Sequence, residues 1–296
     1  MRSNWLPYFV SILCLSTMLR AADAPKRDDS ASEKLGIKLS LQCYTYRAIT
    51  FFETVDKAAA MGIKYLEIYP GQKLSPASTA KVEWSSMSDA AIDEIKKKLA
   101  EAGGLKLVAY GVAAIPPKEE DARKMYEWAK KMGIEVLVTE TKPTEMHDKL
   151  CTEFNIKMAL HNHPKSWPPD EVLAACKDRC PLIGSCSDTG HFMRRGLVPV
   201  EQFKKLGARV LHCHFKDLND YSYIKDATHD KDGPGVHDLP WGTGKGDAKG
   251  MLTQLKAQGF KGYTSIEYEF GSVKELDENL PKCIKFYDET LTELAK

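Results

Sequence analysis

The chain has 296 residues, 43% of them hydrophobic and 28% charged, the make-up of a globular protein rather than a disordered, fibrous or membrane-embedded one. Lys and Arg number 42 against 41 Asp and Glu, a formal charge of +1. That leaves no basic surplus to neutralise a phosphate backbone, so nucleic acid is not an expected partner. The length admits two small domains or one large α/β barrel.

The N-terminus is read first, because it stands apart from the fold. Arg2 supplies a positive start, Trp5 to Met18 is an apolar run of 14 residues, and Ala22-Asp23-Ala24 has the small-x-small form of a cleavage site. The run is shorter than the roughly 20 apolar residues needed to cross a bilayer. Residues 1–24 are therefore expected to be a secretory signal peptide, which makes the protein exported and periplasmic, with no membrane span once the signal is removed. Its removal takes away Arg2, Arg20 and Asp23 and leaves 40 charges of each sign. Residues 25–36 read as a polar, flexible leader, and residues 37–296 as a single domain without a linker. Of eight cysteines, one (Cys14) lies in the signal, and the odd number that remains does not suit a disulfide framework. Cys43, Cys186 and Cys213 fall in strand-like runs as small buried hydrophobes. Cys176 and Cys180 are the close pair for which a bridge stays open.

From residue 37 onward short apolar or β-branched runs alternate with amphipathic stretches, the rhythm of βα units around a parallel sheet. Strands are predicted at 39–44, 65–69, 106–111, 135–139, 157–161, 183–188, 209–215 and 263–267. Helices are predicted at 52–61, 88–102, 119–132, 169–177, 199–206, 248–258 and 273–294. Gly62, Gly133 and Gly259 follow helices where a left-handed residue would end them. Eight such units in about 260 residues match a (β/α)8 TIM barrel. No G-x-G-x-x-G follows the first strand, so a dinucleotide-binding sheet lacks its fingerprint. Residues 218–246 carry no helical pattern and are rich in Gly and Pro, longer than mere wiring requires. The glycines of Trp241-Gly-Thr-Gly-Lys-Gly246 come after a loop rather than a strand and do not make a phosphate loop.

In such a barrel the active site lies at the C-terminal ends of the strands. The fourth predicted strand ends in Glu140, the fifth in His161-Asn162-His163, the sixth in Asp188-Thr-Gly-His191, the seventh in His212-Cys-His214-Phe-Lys216-Asp217 and the eighth in Glu267-Tyr-Glu269. Five of the eight histidines fall in these windows. Residues i and i+2 share a strand face, so His161 points with His163, His212 with His214 and Lys216, and Glu267 with Glu269. Imidazoles and carboxylates converging from several strands suit one divalent ion, Mn, Co, Zn or Mg.

The strand ends Asp188-Thr-Gly-His191, His214-Phe-Lys-Asp217 and Ser265-Ile-Glu267 resemble the motifs of the xylose isomerase-like barrel family, the sugar phosphate isomerases/epimerases. The resemblance spans about residues 37–292. It implies one divalent metal held by a Glu, an Asp, a His and a second Glu; by position the last three are Asp188, His214 and Glu267. Where epimerases of the family carry a Glu at the end of the fifth strand, this chain has His161-Asn-His163, and Glu140 is assigned as the remaining ligand. By the same resemblance His191 matches a histidine that contacts either the substrate or the metal ligands.

The implied reaction is metal-assisted proton abstraction next to a carbonyl, with Glu267, His163 and His191 as candidates to move the proton and Lys216 to protonate or hydrogen-bond an oxygen. His161, His212, Glu269 and Trp241 are expected to contact substrate. Proton return gives isomerisation or epimerisation of a small sugar, and loss of a β-hydroxyl gives dehydration, as in the dehydratase side of the family. Export favours a free sugar or keto-sugar over a phosphorylated one. A barrel that binds sugar and metal without turnover, and assembly as a homo-oligomer, stay open. A DNA-repair member of the family would need a trinuclear zinc site and a basic groove, which the neutral charge opposes.

Overall fold

The computed structural model describes residues 27–222 and 235–296. The expected signal peptide at 1–24 lies outside the described residues, as does the 223–234 part of the expected 218–246 loop.

The chain order is α1 (Ser30–Leu35), β1 (Ile37–Gln42), α2 (Phe51–Ala60), β2 (Tyr65–Ile68), α3 (Asp89–Glu101), β3 (Lys106–Tyr110), α4 (Glu119–Met132), β4 (Val136–Thr139), α5 (Glu145–Phe154), β5 (Lys157–His161), α6 (Pro169–Cys176), β6 (Ile183–Asp188), α7 (Thr189–Arg194), α8 (Pro199–Leu206), β7 (Val210–Phe215), α9 (Ala248–Ala257), β8 (Gly262–Ile266) and α10 (Val273–Leu294). The eight strands close in sequence order into one parallel barrel, β8 pairing back onto β1 with Ile37 beside Gly262 and Leu41 beside Ile266. The expected (β/α)8 barrel is the observed fold, and every predicted strand is present within two residues of its predicted ends.

Three helices went unpredicted. Helix α5 buries only His147, Leu150 and Cys151, too narrow a stripe to register as apolar periodicity. Helix α7 has six residues, starts directly at the end of β6 and is capped by Asp188, whose carboxylate accepts the His191 N–H at 2.7 Å. Helix α1 corrects the expectation of a flexible leader over residues 25–36. Arg27 forms a two-pronged ion pair with Asp288 of α10 at 2.8 Å and lies over the Tyr287 ring. Ala31 and Leu35 pack on the core, and Gly36 ends the helix at φ 69°. Polarity hid this because the segment is held by paired charges as much as by apolar area.

Strand alternation divides the interior. Outward residues such as Leu39, Leu66, Met158, Leu160, Cys213 and Phe215 join the helices in the main core. A second, smaller apolar cluster is formed by Val108, Ala109, Val136, Val138, Ala159, Cys186 and Tyr263. Elsewhere the inward positions are polar and buried: Ser40, Gln42, Glu67, His161, His212, His214 and Ser265. This polar part carries the site. Cys176 and Cys180 are free thiols, like the other described cysteines. No described helix is long and apolar enough to cross a membrane.

Candidate metal centre and sugar pocket

At the C-terminal mouth of the barrel lies a cavity of about 380 Å³ lined by Gln42, Tyr44, Tyr69, Pro70, Gly111, Val112, His161, His163, His191 and Glu267. Its size suits a small molecule. Tyr44 and Tyr69 pack edge to face with centroids 5.2 Å apart and form an aromatic wall. The histidines and Glu267 form the opposite, polar wall.

At that wall His161 and Glu267, with Asp188 and His214 behind them, each offer one ligand atom, all within 4.8 Å of one another. His214 Nδ1 is 3.1 Å from Glu267 Oε2, 3.9 Å from Asp188 Oδ2 and 3.0 Å from His161 Nε2. Two imidazoles and two carboxylates from four successive strands converge on one point. Asp188 is fixed from both sides: Asn162 donates to its carbonyl at 3.0 Å and accepts its N–H at 2.8 Å, while Oδ1 caps α7. Its Oδ2 is buried and makes no hydrogen bond of good geometry, although Lys216 Nζ lies 3.0 Å away.

Electrostatics favour a cation there. Burial pulls His161 down to about 4, so it is a neutral imidazole with a lone pair to give at neutral pH. Burial would raise Glu267, but His214 and Lys216 outweigh it and hold the carboxyl at about 2. Burial likewise opposes charge on His214, yet Cys186, Glu267 and Glu67 push it well above the ordinary imidazole value. Positive charge between Glu267 and Asp188 is thus favoured, whether a proton or a metal carries it. A buried carboxylate oxygen without a good donor, a neutral imidazole, and N and O donors that suit Zn, Mn or Co together fit a divalent ion.

Lys216 is completely buried, 2.8 Å from Glu267, 2.7 Å from Glu269 and 3.0 Å from Asp188. Burial alone would lower it, but the three carboxylates hold it firmly as an ammonium. The close approach needs Gly190, where a Cβ would sit 2.7 Å from Lys216 Cδ. Burial keeps His191 neutral, and its Nε2 is 3.7 Å from Asp188 Oδ2.

Several expected roles move. Glu140, expected as the fourth ligand, is not in the converging group. It sits one residue past β4, where it accepts from His163 Nδ1 and from Ser166. His161, expected to touch substrate, takes the fourth place and also lines the cavity. His212, expected at the substrate, is completely buried one inward position below His214 and bonded to Glu67. Trp241 is likewise not at the cavity: it is packed against Phe215 and Tyr287, with centroids at 4.6 and 6.3 Å. Glu269 holds Lys216 and Arg194 and does not line the cavity. His163, His191 and Glu267, the candidates to move the proton, line it.

Glu67 of β2 was overlooked. It is fully buried and accepts from His212 Nε2 at 2.7 Å, His214 Nε2 at 2.8 Å and Ser265 Oγ at 2.7 Å. A signal existed: Tyr65-Leu-Glu67-Ile-Tyr69 puts a carboxylate on the inward face of an otherwise apolar strand. The glycine-rich segment after the long loop also finds its role. The Asp217 carboxylate accepts the backbone N–H groups of Gly242, Gly244 and Gly246 at 2.8, 3.0 and 2.9 Å. It is an anion cradle for the chain's own carboxylate. A Cβ at Gly244 would lie 2.4 Å from Asp217 Oδ1.

The sequence model described as xylose isomerase-like TIM barrel matches residues 55–289. Among solved structures, an uncharacterised protein of Parabacteroides distasonis is 28% identical, with 86% of this chain and 99% of that one covered and a TM-score of 0.66. A D-tagatose 3-epimerase-like protein is 18% identical over 88% and 100% of the two chains, TM-score 0.63. The IolI protein with a bound zinc atom is 19% identical over 87% and 99%, TM-score 0.63. The probable 3-DHS dehydratase AsbF of Bacillus anthracis is 16% identical over 85% and 98%, TM-score 0.60. At those identities the last three show the shared fold. No curated protein sequence matches the chain.

Proposed function

This chain belongs to the xylose isomerase-like TIM barrel family, and we propose that it is a divalent-metal-dependent isomerase or epimerase that acts on a non-phosphorylated sugar or keto-sugar by removing a proton next to a carbonyl. The observation that carries this reading is the convergence of His161, Asp188, His214 and Glu267 at a cavity that three of the histidines share with an aromatic wall. These four residues would hold the ion, which supplies a Lewis acid for adjacent sugar oxygens. The zinc of the structurally similar IolI protein supports such an ion in this fold.

The protein's own groups handle the proton. Glu267 lines the cavity, and its Oε2 is held by His214 Nδ1 and Lys216 Nζ. Lys216, expected to protonate or hydrogen-bond a substrate oxygen, is completely buried and does not line the cavity; as an ammonium it holds Glu267 in place. His191 is neutral and lines the cavity, so it can accept a proton. Glu140 grips His163 at Nδ1, which makes Nε2 the atom that exchanges a proton with a ligand. Tyr44 and Tyr69 offer a flat face to the C–H side of a sugar.

A second reading has its own observation. Glu267 is the one carboxylate lining the cavity among the described residues, and the other proton-moving groups there are imidazoles. A pair of unlike groups suits loss of a β-hydroxyl better than the symmetrical exchange of an epimerase. The fold shared with AsbF is compatible with such a dehydratase or hydratase. We place the protein outside the cytoplasm on the strength of residues 1–24, in keeping with a free sugar substrate.

The test strips metal from the protein, restores Mn2+, Co2+ or Zn2+, and follows solvent deuterium into a panel of keto-sugars by NMR. Metal-dependent exchange with an epimeric or isomeric product supports the main reading, and an unsaturated product supports the second. Absence of exchange across the panel, with metal bound, overturns both in favour of a binding protein.

A further inference from the structure

Beneath the proposed ion a second layer of polar groups crosses the barrel. His212 and His214 lie on the same face of β7, two residues apart, and both turn Nε2 toward one carboxylate on β2. That carboxylate, Glu67, has each oxygen occupied: Oε1 by His214, and Oε2 by His212 and by Ser265 of β8. Ser265 is tied to Ser40 of β1 at 2.6 Å. Four strands therefore meet at a carboxylate with no exposure to solvent. Burying that charge is costly unless it is hydrogen-bonded, and three donors at 2.7 to 2.8 Å engage both oxygens.

A histidine ring that gives one nitrogen to a metal carries its single proton on the other, which then donates to a nearby acceptor. His214 has Nε2 on Glu67 and Nδ1 on the side of Asp188, Glu267 and His161. We infer that Glu67 is a positioning residue: locked by His212 and Ser265, it holds the His214 ring with its proton on Nε2 and its Nδ1 lone pair aimed at the point where Asp188, Glu267 and His161 converge. The inference rests on the metal reading above and assigns His212 to support from below. Glu67, His212 and His214 also have ligand atoms within 4.8 Å of one another. Both Glu67 oxygens are already taken by His212 Nε2, His214 Nε2 and Ser265 Oγ, so this inner group works as a hydrogen-bonded anchor rather than as a second ion site.

Partners of this kind are worth about 10–100-fold in metal affinity. The experiment uses the full-length protein, 15N-labelled at histidine and loaded with Zn2+. A long-range 1H–15N correlation is expected to show a slowly exchanging proton on His214 Nε2 and a metal-shifted Nδ1, with one Zn2+ per chain. Chelator competition on Glu67→Gln is expected to show Zn2+ and Mn2+ affinity weakened about 10–100-fold, with the slow Nε2 proton lost. Ser265→Ala, which removes one donor to Glu67 and leaves His214 in place, is expected to weaken binding by less than about tenfold. A proton on His214 Nδ1 of the Zn2+-loaded wild-type protein, two Zn2+ per chain, or wild-type affinity in a folded Glu67→Gln overturns the inference and leaves the metal reading standing. If Glu67→Gln does not fold, the wild-type spectrum decides alone. A wild-type chain that binds no Zn2+ or Mn2+ overturns the metal reading, and this inference with it.

Discussion

Asp217→Ala tests whether the spaced glycines of residues 242–246 exist to hold a carboxylate. The wild-type side chain accepts N–H groups from Gly242, Gly244 and Gly246 at 2.8, 3.0 and 2.9 Å. Bonds to a charged acceptor contribute about 1.5–3 kcal/mol each, but the gross sum overstates the effect. Burial raises the Asp217 carboxyl against the three bonds that lower it, so part of their gain is spent on desolvation. In the variant the Gly242 and Gly244 amides can turn to water, since both residues are partly or fully exposed, whereas Gly246 is buried and its amide stays stranded. One stranded amide at about 1–3 kcal/mol and two rehydrated ones at about 0.5–1.5 each give an expected loss of roughly 3 kcal/mol. For a domain of this size that is a drop in Tm of about 6–12 °C. Asp217→Asn keeps an oxygen for Gly242 and Gly244 but turns an NH2 toward the Gly246 N–H, so it should fall between wild type and Ala. Urea unfolding at pH 7, followed by circular dichroism, measures both. A loss below about 1 kcal/mol in Ala and in Asn would mean that the glycines are spaced for another reason.

The ligand set makes a paired prediction. His161→Ala should weaken Zn2+ or Mn2+ binding by about 100-fold or more, and Glu140→Ala should leave it within a factor of about three; metal content after dialysis and chelator competition read both, and the reverse order would restore Glu140 as the ligand. Asp238 sets a pH dependence. Its buried carboxyl is pushed up to about 7, chiefly by burial and further by Glu269, against Lys216 and Arg194. An acid raised on folding contributes stability that is present at low pH and lost as pH rises through its folded value. Asp238→Asn, which still accepts the Glu269 N–H, should therefore gain on wild type between pH 5 and pH 8 in urea unfolding, and parallel pH profiles would refute this. Trp241→Phe should cost about 1–2 kcal/mol of stability through lost packing on Phe215 and Tyr287, with substrate KM unchanged; a raised KM at unchanged stability would return Trp241 to the pocket.

The barrel was legible because parallel strands buried on both faces are written as compact apolar runs, and helices as amphipathic ones. β5 and β6 and helices α4, α8 and α10 have their predicted ends. Short helices were not legible: α7 draws its start from one capping contact, Asp188 to the His191 amide, and no periodicity develops in six residues. Within the site, period-2 alternation identified a shared face for His212, His214 and Lys216 but said nothing about depth. Two residues of strand are about 7 Å, enough to sink His212 into the hydrogen-bonded layer while His214 faces the converging group. Glu140 shows the same limit at the rim, where leaving the strand lets its side chain turn to His163 and Ser166.

The one-dimensional pattern of this chain thus determined the barrel, its strand order and the end of it that gathers imidazoles and carboxylates, since these follow from local periodicity and the position of polar residues along each strand. Only the closed barrel decided which groups meet. Glu67 reaches His212 and His214 across 145 and 147 residues of sequence, and His161 displaces Glu140 beside Asp188, because contact across a barrel depends on register, height and side-chain direction together. No single stretch of sequence carries those three quantities.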